Sequence, residues 1–292
     1  MERDWIVRVP ASSANLGSGF DALAVALGTH LEVGPALDGP TDEGHPAVRA
    51  FRGAGGEGPL AVRSAFPGGR GLGFSGAARV AGLLAAVVQQ GRDPGAEGEA
   101  VLAEAAALEG HADNAAASLL GGVVAVAGGR ACRVPLARVP TVVVWIPDRE
   151  TSTRGSRRNL PEVVTFADAV HNVGAAALLV AALAAGDLDA LRTATDDRLH
   201  QEARLAGAPE TRAAIDAALA AGAAAAWLSG SGPAAAAFVV DDRVDAVVAA
   251  LPATGRVRVL TIDEVGATVV RPGDDPGDGP TAGARGGGGA TP

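Results

Sequence analysis

Residues 75–92 constrain this chain more than any other stretch. Val80, Leu83, Leu84, Val87 and Val88 fall at i, i+3, i+4, i+7 and i+8, the spacing of one buried helical face. Gly68-Gly69-Arg70-Gly71-Leu72-Gly73 stands directly before that helix. The fold must therefore bury a helix and leave its N-terminus open to a glycine loop that something bulky can approach. A second helix is expected over 101–109, ending near Gly110. Strands are expected at 5–9, 123–127 and 141–146, the last bounded by Pro140 and Pro147. Beyond Pro147 the pattern predicts helices at 162–185, 187–195 and 209–221. Strands at 234–240 and 257–262 should flank a helix at 241–251. Strands and helices mix without strict alternation, which predicts an α+β fold. Two domains are expected, 1–150 and 151–271, changing near 147–155. Residues 36–59, rich in Gly, Pro and acids, read as loops. The Gly/Pro-rich 272–292 reads as a disordered tail, since it offers no apolar side chain larger than Ala.

The 292 residues are 48% hydrophobic, enough for a real core, and carry a formal charge of −9. That balance argues against nucleic acid or an anionic membrane as the main partner. All 24 basic residues are Arg, so a Schiff base, a P-loop lysine and a lysine general base are excluded. Tyr is absent as well. The single thiol, Cys132, cannot form an intrachain disulfide and reads as a buried strand residue. The N-terminus MERDWIVRV lacks the basic start of a signal peptide, and the Ala-rich runs 174–185 and 217–226 are short and interrupted. A cytoplasmic enzyme with no membrane span is the expectation.

Five segments could carry chemistry. The loop Arg70, Gly71, Leu72, Gly73, Phe74, Ser75, Gly76 and Ala77 is either a phosphate cradle built from main-chain amides or a simple turn before a helix. Glu109, His111, Asp113 and Asn114 crowd into LEGHADN. They are either a carboxylate set beside that cradle, suited to Mg²⁺, or a helix end followed by a helix start. The segment VPASSANLGSGFD offers Asn15 and Asp21, either as polar site residues or as caps of a following helix. Arg149, Arg154, Arg157 and Arg158 form a basic cluster in an acidic chain, either an anion site or a solvated loop. LSGSGPA at 228–234 is a glycine turn that enters a strand.

Taken together in chain order, and with DDRLHQEAR as a sixth, these segments resemble the GHMP kinase superfamily, and within it the branch that phosphorylates homoserine. VPASSANLGSGFDALAVAL, GRGLGFSGAA, LEGHADNAAASLLGG, TSTRGSRRNLP, DDRLHQEAR and LSGSGPAAAAFV carry the likeness, from about residue 5 to 265. The resemblance implies an N-terminal α+β domain with a left-handed βαβ crossover and a ferredoxin-like C-terminal domain. It implies ATP and Mg²⁺ as cofactors, L-homoserine as the substrate, and O-phospho-L-homoserine, a threonine precursor, as the product. It allows a homodimer.

By the same resemblance, Asn15 and Asp113 would be catalytic, with Asp113 facing the hydroxyl. Asp21, His111, Thr153, Arg157 and Arg204 would bind substrate. Residues Arg70 to Ala77 would wrap the triphosphate, and Glu109 with Ser75 would hold the metal. The chain departs from the family at Phe74 and Gly76, where Ser and Ala are usual, and at Ser18, where Pro is usual. Two other readings stand beside this one: a superfamily kinase of another small alcohol, and a non-catalytic nucleotide or ligand binder. The superfamily's mevalonate and methylerythritol kinases place a lysine in the first motif that this chain lacks.

Overall fold

The computed structural model describes residues 5–151 and 153–271, without the side chains of Thr153 and Arg154. The tail expected at 272–292 lies outside the described residues.

The first sheet contains β1 (Ile6–Ala14), β2 (Leu23–Gly34), β3 (Ala61–Ser64), β4 (Val123–Ala127), β5 (Arg130–Val134) and β10 (Thr268–Val270). Their order is β10-β1-β2-β4-β5, with β3 pairing β2, and every pairing is antiparallel. β1 lines one edge of β2, so β3 and β4 share the other edge and run parallel to each other. Between them come α2 (Phe74–Gln89), α3 (Gly98–Glu109) and α4 (Asp113–Leu120), a βαβ-type crossover. Pro10 sits inside a central strand, where it can donate no ladder bond. The β1–β2 register accommodates it by shifting between Pro10 and Ala11.

The second sheet contains β6 (Thr141–Pro147), β7 (Ala225–Leu228), β8 (Ala235–Val239) and β9 (Gly255–Leu260), ordered β7-β8-β6-β9. The long β6–β7 connection carries α5 (Thr153–Arg158), α6 (Phe166–Ala185), α7 (Leu191–Ala194), α8 (Gln201–Leu205) and α9 (Pro209–Ala220). α10 (Val244–Ala250) links β8 to β9. This antiparallel β-α-β-β-α-β arrangement is ferredoxin-like.

Period-two alternation explains how one sheet serves two cores. Val142, Val144 and Ile146 of β6 join the main core with Trp227, Phe238 and the first sheet. Val143 and Trp145 turn to α9 and α10. Trp227 and Phe238 pack at 4.6 Å between centroids, an arrangement contributing about 0.5–1.5 kcal/mol beyond area burial. Because β6 already belongs to the second sheet, the change of sheet precedes the expected boundary at 150. β10 then returns the chain to the first sheet.

Other sequence expectations change too. The helix expected after Asp21 is instead β2. Residues 23–27 are apolar and buried on both faces, because this half of a central strand is covered on both sides. From Gly28 onward the alternation returns, with His30 and Glu32 on the partly exposed face. The 36–59 loop encloses α1 (Pro46–Gly53), whose Val48 and Phe51 are buried. Cys132 is exposed, because β5 is an edge strand. α6 starts at Phe166, well before 174, and at 20 residues is long and apolar enough by composition to cross a membrane. Here its Leu179 and Leu183 are buried in the main core.

Candidate active site

α2 starts at Phe74, with Gly73 as its N-cap in the left-handed region at φ 66°. A Cβ on Gly73 would lie 2.0 Å from Ser12 Oγ, and one on Gly71 would lie 2.3 Å from the Ser229 carbonyl oxygen. Only glycine fits either position. Ser12 N donates to Leu72 O at 3.1 Å, and Ser229 Oγ donates to Gly71 O at 2.6 Å. The loop is thereby clamped between β1 and the turn after β7, with the Leu72 side chain in the core. Ala77 N donates to Gly73 O at 2.9 Å. The amides left without helical partners are therefore those of 73–76, at the positive end of α2. This corrects the expectation for Ala77, which is fully buried with its amide inside the helix. Arg70, expected to help wrap the triphosphate, pairs here with Glu150 at 3.0 Å and donates to Asp148 O. The Phe74 ring stands edge-on to Phe66 at 5.9 Å and to His45 at 5.6 Å, forming one wall of the cleft.

Glu109 is the last residue of α3, Gly110 turns the chain at φ 81°, and Asp113 opens α4. This tight turn brings Glu109 and His111 into one cleft with the glycine loop and Ser75, an empty volume of about 540 Å³. His111 Nδ1 donates to Asp113 Oδ1 at 2.8 Å, and Asn114 N donates to the same oxygen at 2.8 Å. His111 Nε2 lies 3.9 Å from the Glu109 carboxylate. Ser12 Oγ donates to Asn114 Oδ1 at 2.9 Å, tying α4 to β1.

Asp21 joins this group: ligand atoms of Asp21, His111 and Asp113 lie within 4.8 Å of one another. Its carboxylate accepts from Arg157 Nη2 at 2.6 and 2.7 Å. Arg157 and Arg204 both lie over the Phe20 ring, at 5.5 and 5.1 Å from its centroid. His200 stacks on Phe20 at 4.8 Å. Arg204 is buried and donates from Nη1 to Gly230 O at 3.1 Å and to His200 Nδ1 at 3.2 Å. Burial, then the charge of Arg157, push the Arg204 pKa down, while Asp21, Asp197 and Asp113 oppose them. It remains a cation. His200 Nε2 donates to Gly17 O at 2.9 Å. Burial holds its pKa below the usual histidine value despite Asp197, so it is neutral near pH 7.

Asn15, expected as catalytic, is almost wholly buried, and its amide serves the backbone. Nδ2 donates to Gly230 O at 2.9 Å, and Oδ1 accepts from Asp21 N at 3.1 Å. The Thr153 side chain lies outside the described residues. Sequence reasoning missed Phe20, His200 and Arg79. Arg79 donates to Ser75 Oγ at 2.7 Å and pairs with Glu109. A charged residue four positions after Ser75 in an otherwise apolar helix was the available signal for it. Nothing in the sequence distinguished Phe20 from a core aromatic.

A glycine-clamped helix N-terminus facing a carboxylate turn, on an α+β frame with a ferredoxin-like half, defines a GHMP-type kinase. The family model described as "GHMP kinases C terminal" matches residues 179–257. A homoserine kinase of Thermus thermophilus is 42% identical over 281 residues, covering 88% of this chain and 95% of that protein. That of Streptomyces coelicolor is 38% identical over 291 residues, covering 90% and 94%. A crystal structure of homoserine kinase from Cytophaga hutchinsonii superposes with a TM-score of 0.79 at 26% identity, covering 92% of this chain and 98% of that one. The chain belongs to the homoserine kinase family of the GHMP kinase superfamily.

Proposed function

We propose that this chain transfers the γ-phosphoryl group of ATP to the side-chain hydroxyl of L-homoserine, giving O-phospho-L-homoserine. The observation that carries the reading is the Asp21–Arg157 pair, with Arg204 beside it, set against the glycine cradle. Homoserine brings one ammonium and one carboxylate. Inserted at the pair, its ammonium takes Asp21 and its carboxylate takes Arg157 and Arg204, so one neutral ion pair is exchanged for two. The free amides of 73–76 receive the polyphosphate. Asp113, held by His111 and the Asn114 amide, faces the hydroxyl. Asn15 acts as a positioning residue, setting Asp21 and Gly230. Phosphoryl transfer needs alignment and charge neutralisation more than a strong base.

A divalent cation fits the donor set, since the Glu109 carboxylate and Ser75 hydroxyl are hard oxygen ligands in one cleft. When bound, Mg²⁺ would neutralise phosphate charge; Glu109 and Ser75 are the residues that would hold it.

The test is ADP release with L-homoserine, L-threonine, L-serine and mevalonate. L-homoserine should give the highest kcat/KM. Faster turnover of mevalonate, or no turnover of any alcohol, overturns the proposal.

A further inference from the structure

Arg79 stands among the groups that the proposed function gives to a divalent ion. It lies one helical turn beyond Ser75, so the two side chains share a face of α2. Its Nη1 donates to Ser75 Oγ at 2.7 Å and contacts the Glu109 carboxylate. The Glu109 side chain is only 9% exposed, and that of Arg79 is 24% exposed. The pair is therefore shielded enough to matter, unlike a solvent-screened surface bridge. Arg79 is the one charged residue of α2, on a helix whose other turns are buried in the core. Glu109 reaches it from the end of α3, and Arg49 adds a like charge nearby. Both oxygen donors of the candidate metal position thus already face a cation, one that is covalently tethered.

We infer that Arg79 is a resident counter-cation of Glu109, which a divalent ion must displace, and that it sets the metal affinity of the cleft. The use of the ion in turnover rests on the kinase reading. The competition itself is a property of Arg79, Glu109 and Ser75. Displacing the guanidinium costs chiefly its charge-assisted bond to the Glu109 carboxylate. Removing it should therefore raise divalent affinity by about ten- to a hundredfold.

The experiment is a Mn²⁺ titration of the full chain followed by electron paramagnetic resonance, with no nucleotide and no alcohol present. R79M should bind Mn²⁺ about ten- to a hundredfold more tightly than the wild type. R79K, which keeps the charge on a shorter stem and so holds both oxygens less closely, should fall between them. R79M/E109Q should lose the gain. Equal affinity in wild type and R79M overturns the inference. So does tight binding that survives in R79M/E109Q, since the ion then sits elsewhere, as on Asp21, His111 and Asp113. If circular dichroism shows R79M unfolded, R79Q, which removes the charge but keeps a polar side chain, decides: an affinity equal to wild type overturns the inference. Failure to phosphorylate homoserine would leave the Mn²⁺ result standing, because the titration contains no substrate.

Discussion

Replacing Asp21 by Asn separates a ligand-binding ion pair from a structural one. The side chains of Arg157 and Asp21 are 35% and 33% exposed. Water therefore screens their bond in the free chain, and breaking it should cost no more than about 1 kcal/mol of stability. With homoserine bound, the ammonium loses a charged acceptor, a loss of about 1.5–3 kcal/mol. That corresponds to a fall in kcat/KM of roughly ten- to 150-fold. Arg157→Gln should lose a similar amount at the carboxylate end. Because the two side chains touch in the free chain, the double variant should depart from the sum of the single losses by a coupling of about 0.5–3 kcal/mol. Steady-state ADP release gives the kinetic terms, and urea unfolding gives the stability terms. If D21N loses about 2 kcal/mol or more of stability while its homoserine KM stays unchanged, the pair is structural and the reasoning fails.

Arg204→Ala should lower both stability and homoserine affinity. It strips a donor from Gly230 O and His200 Nδ1 and removes a cation from the Phe20 face. A loss of about 2–4 kcal/mol in urea unfolding is expected. Glu109→Ala should cut kcat and alter the Mg²⁺ dependence while leaving homoserine KM nearly unchanged, read from kinetics across a Mg²⁺ series. Phe74→Ser keeps the main-chain amide but loses the packing against Phe66 and His45. The KM for ATP should hold while the unfolding midpoint drops. Burial keeps His200 below its ordinary pKa of 6.5. The unfolded chain therefore takes up a proton first as pH falls. Stability should be full above pH 6.5 and decline below it, by up to about 1.4 kcal/mol per unit. Urea midpoints across pH should show this decline, and His200→Gln should remove it.

The parts of the molecule governed by local periodicity were legible in the sequence. The apolar stripe of α2, the Gly110 stop of α3 and the Pro-bounded β6 all follow from side-chain spacing and backbone chemistry. The start of β2 was not legible, because Leu23 to Leu27, covered on both faces, lack alternation and read like a buried helix, although Leu31 and Val33 alternate with His30 and Glu32 further along. α1 hid in a Gly- and Pro-rich stretch, and its burial depends on α2. Cys132 looked buried because its neighbours are apolar, whereas exposure depends on β5 being an edge. In the site, the motifs named Asp21, Glu109, His111, Asp113, Arg157 and Arg204, and all six converge. Partners across the fold were hidden. Spacing cannot show that Arg70 turns to Glu150, that the Asn15 amide serves Gly230, or that Arg79 reaches Glu109.

The most direct measurement compares L-homoserine with two analogues, 4-hydroxybutyrate, which lacks the ammonium, and 2-amino-1,4-butanediol, which lacks the carboxylate. Each should lose roughly ten- to 150-fold or more in kcat/KM on the wild type. The loss for 4-hydroxybutyrate should largely vanish in D21N, where its missing partner no longer matters. Equal turnover of all three alcohols would contradict a cleft built to pin both charged ends of an amino acid beside the polyphosphate.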